Sequence, residues 1–122
     1  YLSDSEEERI RQRNDNYIIR RSVMHYVLGV EQEIIRFRRN MAGFDTPYLL
    51  IYSEQDPITP AWGNIDFATV TRNNHQHNEL MPLTGKSHHE QLFSTPALRE
   101  QILHKIDNWI ERRMDKIIKG DY

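Results

Sequence analysis

An aspartate and a pair of histidines carry the chemistry this sequence offers. Asp56 lies four residues past the apolar run Tyr48-Leu49-Leu50-Ile51-Tyr52. His88 and His89 lie five and six residues past a weaker run, Glu79 to Leu83. A carboxylate that meets an imidazole makes the acid–base half of a nucleophilic triad. The acid orients the ring and stabilises its charged form, and the ring takes the nucleophile's proton. An Asp or a His standing alone in a loop is ordinarily surface; the two in corresponding loops are more informative. His89, 33 positions from Asp56, is the expected partner, with His88 as the alternative.

Two strands and a helix must bring these residues together. Tyr48 to Tyr52 is unbroken by polar residues and bounded by turn formers, as a strand buried on both faces of a parallel sheet reads. Between the two runs, Trp62 to Arg72 carries Ile65, Phe67, Ala68 and Val70, enough for a short covering helix. The unit is β-α-β, whose crossover makes its strands parallel. In open α/β sheets functional groups gather beyond the carboxyl ends of the strands. Asp56 and His88-His89 both follow such ends, so they leave the same sheet edge.

The flanks read as helices. Ser5 followed by Glu6, Glu7 and Glu8 has the form of a capped helix start. The stretch after it is basic, with Arg9, Arg11, Arg13, Arg20 and Arg21. It carries no nucleic-acid motif, so a solvated helix of alternating sign is expected over an RNA contact. From Ser22 to Met41, Val23, Val27, Val30, Ile34, Phe37 and Met41 recur at three- and four-residue spacing, giving one apolar stripe, with Gly43 as the residue ending the helix. Thr95-Pro96 starts a last helix whose buried face is Leu98, Ile102, Ile106, Trp109 and Ile110. His75-x-His77 falls in a polar turn and lacks the third ligand a transition metal needs, so a structural role is expected.

Composition narrows the classes further. An apolar share of 38% in 122 residues is low for an independent domain, as expected of a piece that packs against more protein. A net charge of −2 gives no general attraction to nucleic acid or anionic lipid. With no cysteine there is neither a disulfide nor a thiolate metal site, and no apolar run approaches a membrane span.

Two loops carry a resemblance. Pro47 to Ile58, ending Ser53-Glu54-Gln55-Asp56-Pro57-Ile58, resembles the penultimate strand and acid loop of serine α/β-hydrolases. Gly85-Lys86-Ser87-His88-His89-Glu90-Gln91-Leu92-Phe93 resembles their histidine loop. The His-Glu pair followed by an apolar pair, and Ile106-Asp107-Asn108-Trp109-Ile110 in the closing helix, are similar to the lysophospholipase and monoglyceride-lipase branch. His25 to Gln32 resembles the region between cap and sheet in bacterial lysophospholipases, so the likeness spans about Ser22 to Arg112. Aligning Glu90 selects His89, whereas aligning Gly85 makes the loop one residue longer.

The resemblance implies an α/β fold, specifically the C-terminal β-α-β-α portion of a hydrolase sheet over residues 44–122. A helical segment, the end of a cap, would precede it over residues 1–43. It implies hydrolysis of a lipid-like monoacyl ester by a Ser-Asp-His triad with Asp56 and His89, no metal and no cofactor. It also implies a cytoplasmic protein with at most peripheral membrane contact. Tyr17, Ile18 and Met24, at the end of the cap, are the implied acyl-pocket lining. The family's G-x-S-x-G elbow lies upstream of its acid. Ser3, Ser5, Ser22, Ser53, Ser87 and Ser94 sit in no such motif, so the nucleophile is expected on a missing N-terminal half, on this chain or another. The alternative is a non-catalytic interaction module of hydrolase origin that packs on a partner chain.

Overall fold

Leu49–Ser53 (β1) and Glu79–Leu83 (β2) form a two-stranded parallel sheet in the computed structural model of the chain. Residues 3, 5–17, 23–85 and 89–120 are described. Leu49 pairs with Glu79 and Ser53 with Leu83. The ladder runs one bond past each end: the Glu79 N–H donates to the Tyr48 carbonyl (3.0 Å) and the Glu54 N–H to that of Leu83 (3.1 Å). Ala61–Thr71 (α3) is the crossover, so β2 and the covering helix lie where apolar spacing puts them. The remaining helices are Glu6–Asn14 (α1), Met24–Asn40 (α2) and Pro96–Ile118 (α4). The class is mixed α/β.

The sheet is thinner than a doubly covered one. Four of the five β1 residues are only half-buried, and Ser53 alone is buried. The sequence expectation of burial on both faces is therefore corrected: among the described residues two strands give each strand only one neighbour, and little helix surface lies over them. Among the described residues the enclosed apolar side chains are few: Ala68 from α3, Leu83 from β2 and Ile102 from α4. An aromatic cluster supplements them, with Phe67 of α3 at its centre. Its ring lies 5.1 Å from Tyr48, 5.4 Å from Phe44 and 5.8 Å from Phe37, within the range of favourable aromatic pairs.

Polar side chains close the unit where the apolar core is small. The Asn78 carboxamide oxygen accepts the Tyr48 N–H (3.1 Å), while its NH2 donates to the Thr71 carbonyl (3.0 Å). One amide thus ties the start of β1 to the end of α3. Asn74 does similar work, donating to the carbonyls of Ala42 (2.9 Å) and Phe44 (2.7 Å). The Tyr48 hydroxyl and that of the buried Thr71 share a 2.8 Å bond.

The helices α1 and α4 begin as their sequences predict, although Thr95 caps α4 without a side-chain bond. The Ser5 hydroxyl accepts the Glu8 N–H at 3.4 Å. On α1, Arg9 pairs with Glu6, and Arg11 pairs with Glu8 at 2.8 Å, consistent with a helix of alternating sign. Gly120, at φ 74°, follows α4 in the left-handed region that glycine tolerates. On α4, Ile102 is buried and Leu98, Ile106 and Trp109 are half-buried, while Ile110 is exposed.

Helix α2 carries the expected apolar stripe, no residue of which is buried, but does not end as expected. Periodicity reports which face is apolar, not whether another layer covers it. Nor does Gly43 end the helix in a left-handed turn, since its φ is not positive. The chain instead tightens into a 3-10 turn over Met41–Gly43, closed by the Phe44 N–H on the Met41 carbonyl (3.0 Å). No described helix is long and apolar enough to cross a membrane.

Asn78→Ala is expected to destabilise the fold by about 1–3 kcal/mol, because it leaves the half-buried Tyr48 N–H without its acceptor and cuts the side-chain tie to the end of α3. The exposed Asn73→Ala should stay within about 0.5 kcal/mol of wild type. Urea unfolding of the two variants side by side measures the difference.

Candidate active site

The acid loop is built around its own aspartate. After β1 the chain turns through Glu54 and Gln55, and the Gln55 N–H reaches the Ser53 hydroxyl at 3.3 Å. The Asp56 side chain then folds back over the loop, its Oδ1 accepting the N–H groups of Ile58 (2.7 Å) and Thr59 (2.9 Å). This is the local side-chain-to-backbone turn that Asp favours. Its Oδ2 accepts the Thr59 hydroxyl at 2.5 Å and faces His89 Nδ1 at 2.8 Å. Thr59 Oγ1 also lies 3.3 Å from His89 Nδ1, so the three side chains share one cluster.

Burial and charge divide unequally within the pair. The Asp56 side chain is 3% exposed, that of His89 37%. Burial by itself pushes a carboxyl pKa up. Here the Thr59 hydroxyl, the Thr59 N–H, His89 and the Ile58 N–H outweigh it and hold Asp56 well below the usual carboxylate range. An ionised carboxylate has no proton to give, so Nδ1 of His89 carries the hydrogen in their bond. That leaves Nε2 with the lone pair and places the accepting nitrogen on the more exposed partner. The arrangement can take a proton at Nε2, hold the resulting charge against Asp56, and return the proton.

The histidine loop is braced from the N-terminal segment. Gln12 Nε2 of α1 donates to Glu90 Oε2 at 2.8 Å. The buried Ser3 hydroxyl bonds the Phe93 carbonyl. Arg11 lies over the Phe93 ring, 5.8 Å from its centroid, and the loop ends in a 3-10 turn over Gln91–Phe93.

Beside Thr59 opens a largely apolar cavity of about 480 Å3, walled by Ile34, Phe37, Met41, Ile58 and Trp62. Three of these, Ile34, Phe37 and Met41, belong to the apolar stripe of α2; their half-open position makes a wall rather than a core. The positions implied for an acyl pocket lie elsewhere. Tyr17 stands almost fully exposed in the turn after α1, and Met24, also exposed, opens α2. Ile18 and His88 lie outside the described residues. In the turn before β2, His75 Nδ1 accepts the His77 backbone N–H at 3.2 Å, and the two rings lie 5.1 Å apart. Among the described residues no group of three or more His, Asp or Glu is placed to hold a metal.

Thr59 was not singled out from the sequence. Its signal is Asp56-Pro57-Ile58-Thr59 directly before the helix-starting Pro60: an Asp whose turn returns a hydroxyl to its own carboxylate. No protein-family model and no curated protein matches this sequence.

Thr59→Val removes one hydroxyl donor from a buried carboxylate and is expected to cost about 1.5–3 kcal/mol of stability, read as a lowered urea midpoint. The pH dependence has a definite sign. The folded carboxyl sits below its unfolded value of about 3.9, so its stabilisation is complete above that pH. It declines as pH falls below that value toward the depressed folded one. The stability gap between wild type and Asp56→Asn should therefore narrow on acidification below about pH 4, as paired unfolding curves measure.

Proposed function

We propose that the chain supplies the acid and the base of a serine carboxylic-ester hydrolase, with Asp56 orienting His89 for proton transfer. The 2.8 Å bond from the half-exposed His89 to the buried, multiply hydrogen-bonded Asp56 carries this reading. His89 Nε2 would accept the proton of a serine held on another segment, on this chain or a partner, and return it to the leaving alcohol. The order acid, crossover helix, histidine is that of the C-terminal part of an α/β-hydrolase sheet, and the reading extends to that fold. The apolar cavity beside Thr59 supports a substrate with an acyl chain, hence a lipid-like monoacyl ester, met in the cytoplasm or at a membrane surface. Neither metal nor cofactor is required in this proton path.

The test is kinetic, in the polypeptide together with its serine-bearing portion. Asp56→Asn and His89→Ala should each lower kcat for monoacyl ester hydrolysis by about 10^3-fold or more. Losses under tenfold for both would contradict the assignment. Trp62→Ala should raise KM for long-chain esters more than for short ones, because it removes one wall of the cavity.

One observation favours a second reading, an interaction module without catalysis. Val27, Val30, Ile34 and Phe37 of α2 are all more than two-fifths exposed, more apolar surface than a solvated helix ordinarily presents. On that reading Val27→Glu abolishes association with a partner chain, while Asp56→Asn changes nothing but stability.

A further inference from the structure

A second cavity lies at the other end of β2 from His89. It measures about 480 Å3, and its walls are the turn at His77, Glu79 at the start of β2, and the last turns of α4 from Trp109 onward. Arg112, Arg113, Lys116 and Lys119 line it. Their spacings of three and four residues gather them on one side of the helix. Two carboxylates, Glu79 and Asp115, share the wall.

Glu79 is already committed. Its Oε2 takes Lys105 and its Oε1 takes Arg112, each at 2.6 Å. With Arg112 paired to Glu79, the described lining residues Arg113, Lys116 and Lys119 stand with Asp115 as the remaining carboxylate. Trp109 ties α4 to the turn before β2, its indole N–H donating to the His77 carbonyl at 3.0 Å. Within this surround Nη1 of Arg113 is buried and has no hydrogen-bond acceptor. A buried charged donor without an acceptor bears the full cost of its desolvation, which an oxyanion in the cavity would relieve.

We propose that this cavity binds a phosphoryl anion. Several oxygens on one centre can meet the Arg113 guanidinium fork and the lysine ammonium groups together, which a single carboxylate does less well. The volume exceeds one inorganic phosphate and suits a diphosphate or a phosphorylated headgroup. The site is independent of the Asp56–His89 chemistry.

Pyrophosphate titrated into the 122-residue chain tests this through its two indole N–H resonances. The Trp109 signal should shift saturably and that of Trp62 should not. Arg113→Gln and the exposed Lys119→Glu should each weaken binding about tenfold, and added salt should weaken it further. Absence of a saturable Trp109 shift overturns the site, as does unchanged affinity in a folded Arg113→Gln and in Lys119→Glu. Phosphatidylcholine vesicles doped with phosphatidic acid separate the sources. Capture lost in Lys119→Glu identifies a lipid headgroup. Pyrophosphate binding without capture identifies a soluble phosphoanion.

Discussion

A buried carboxylate must be hydrogen-bonded on nearly every lone pair or it will not stay charged. Asp56 meets that condition with four donors: two backbone N–H groups, one hydroxyl and one imidazole. Three of the four come from the two residues Ile58 and Thr59, so the loop folds around the charge it encloses. The fourth comes from His89, beyond the other strand. The same interactions that make burial tolerable also fix where the imidazole sits and which of its nitrogens holds the proton. Stability of the acid loop and orientation of the base are thus one constraint.

The sheet gives that constraint its reach. Parallel pairing of β1 and β2 in register sends both following loops off one edge, and the right length of crossover does the rest. The pairing is secured largely by polar clamps. Asn78 joins strand to helix, Asn74 joins the turn after α3 to the turn after α2, and the Tyr48–Thr71 hydroxyl bond lies beneath the aromatic cluster. Few apolar side chains are enclosed, so these bonds carry more of the load than in a thick α/β domain.

Strand positions, the crossover and the acid–histidine meeting were legible because each depends on local apolar runs and on a general rule about strand ends. Aligning Glu90 points to His89, which bonds Asp56 at 2.8 Å, while His88 lies outside the described residues. Thr59 was not legible, since a hydroxyl in a loop means nothing until the Asp56 turn brings it back to the carboxylate. The asparagines before β2 read as an exposed turn, and Asn73 and Asn74 are exposed; the bonds of Asn74 and Asn78 to backbone carbonyls have no signal in the composition. The stripe of α2 is legible as apolar, but periodicity does not say whether another layer covers it, and no residue of the helix is buried. Ile34, Phe37 and Met41 consequently wall a cavity next to the dyad, a role that the exposed Tyr17 and Met24 were expected to fill.

The most direct measurement is the nitrogen-15 and proton NMR spectrum of the His89 imidazole near neutral pH. The Asp56 bond requires the Nδ1–H tautomer, with a hydrogen-bonded proton resonance far downfield that disappears in Asp56→Asn. A His89 ring that instead carries its proton on Nε2, or averages freely between tautomers in the wild-type protein, would contradict the dyad and the proton path built on it.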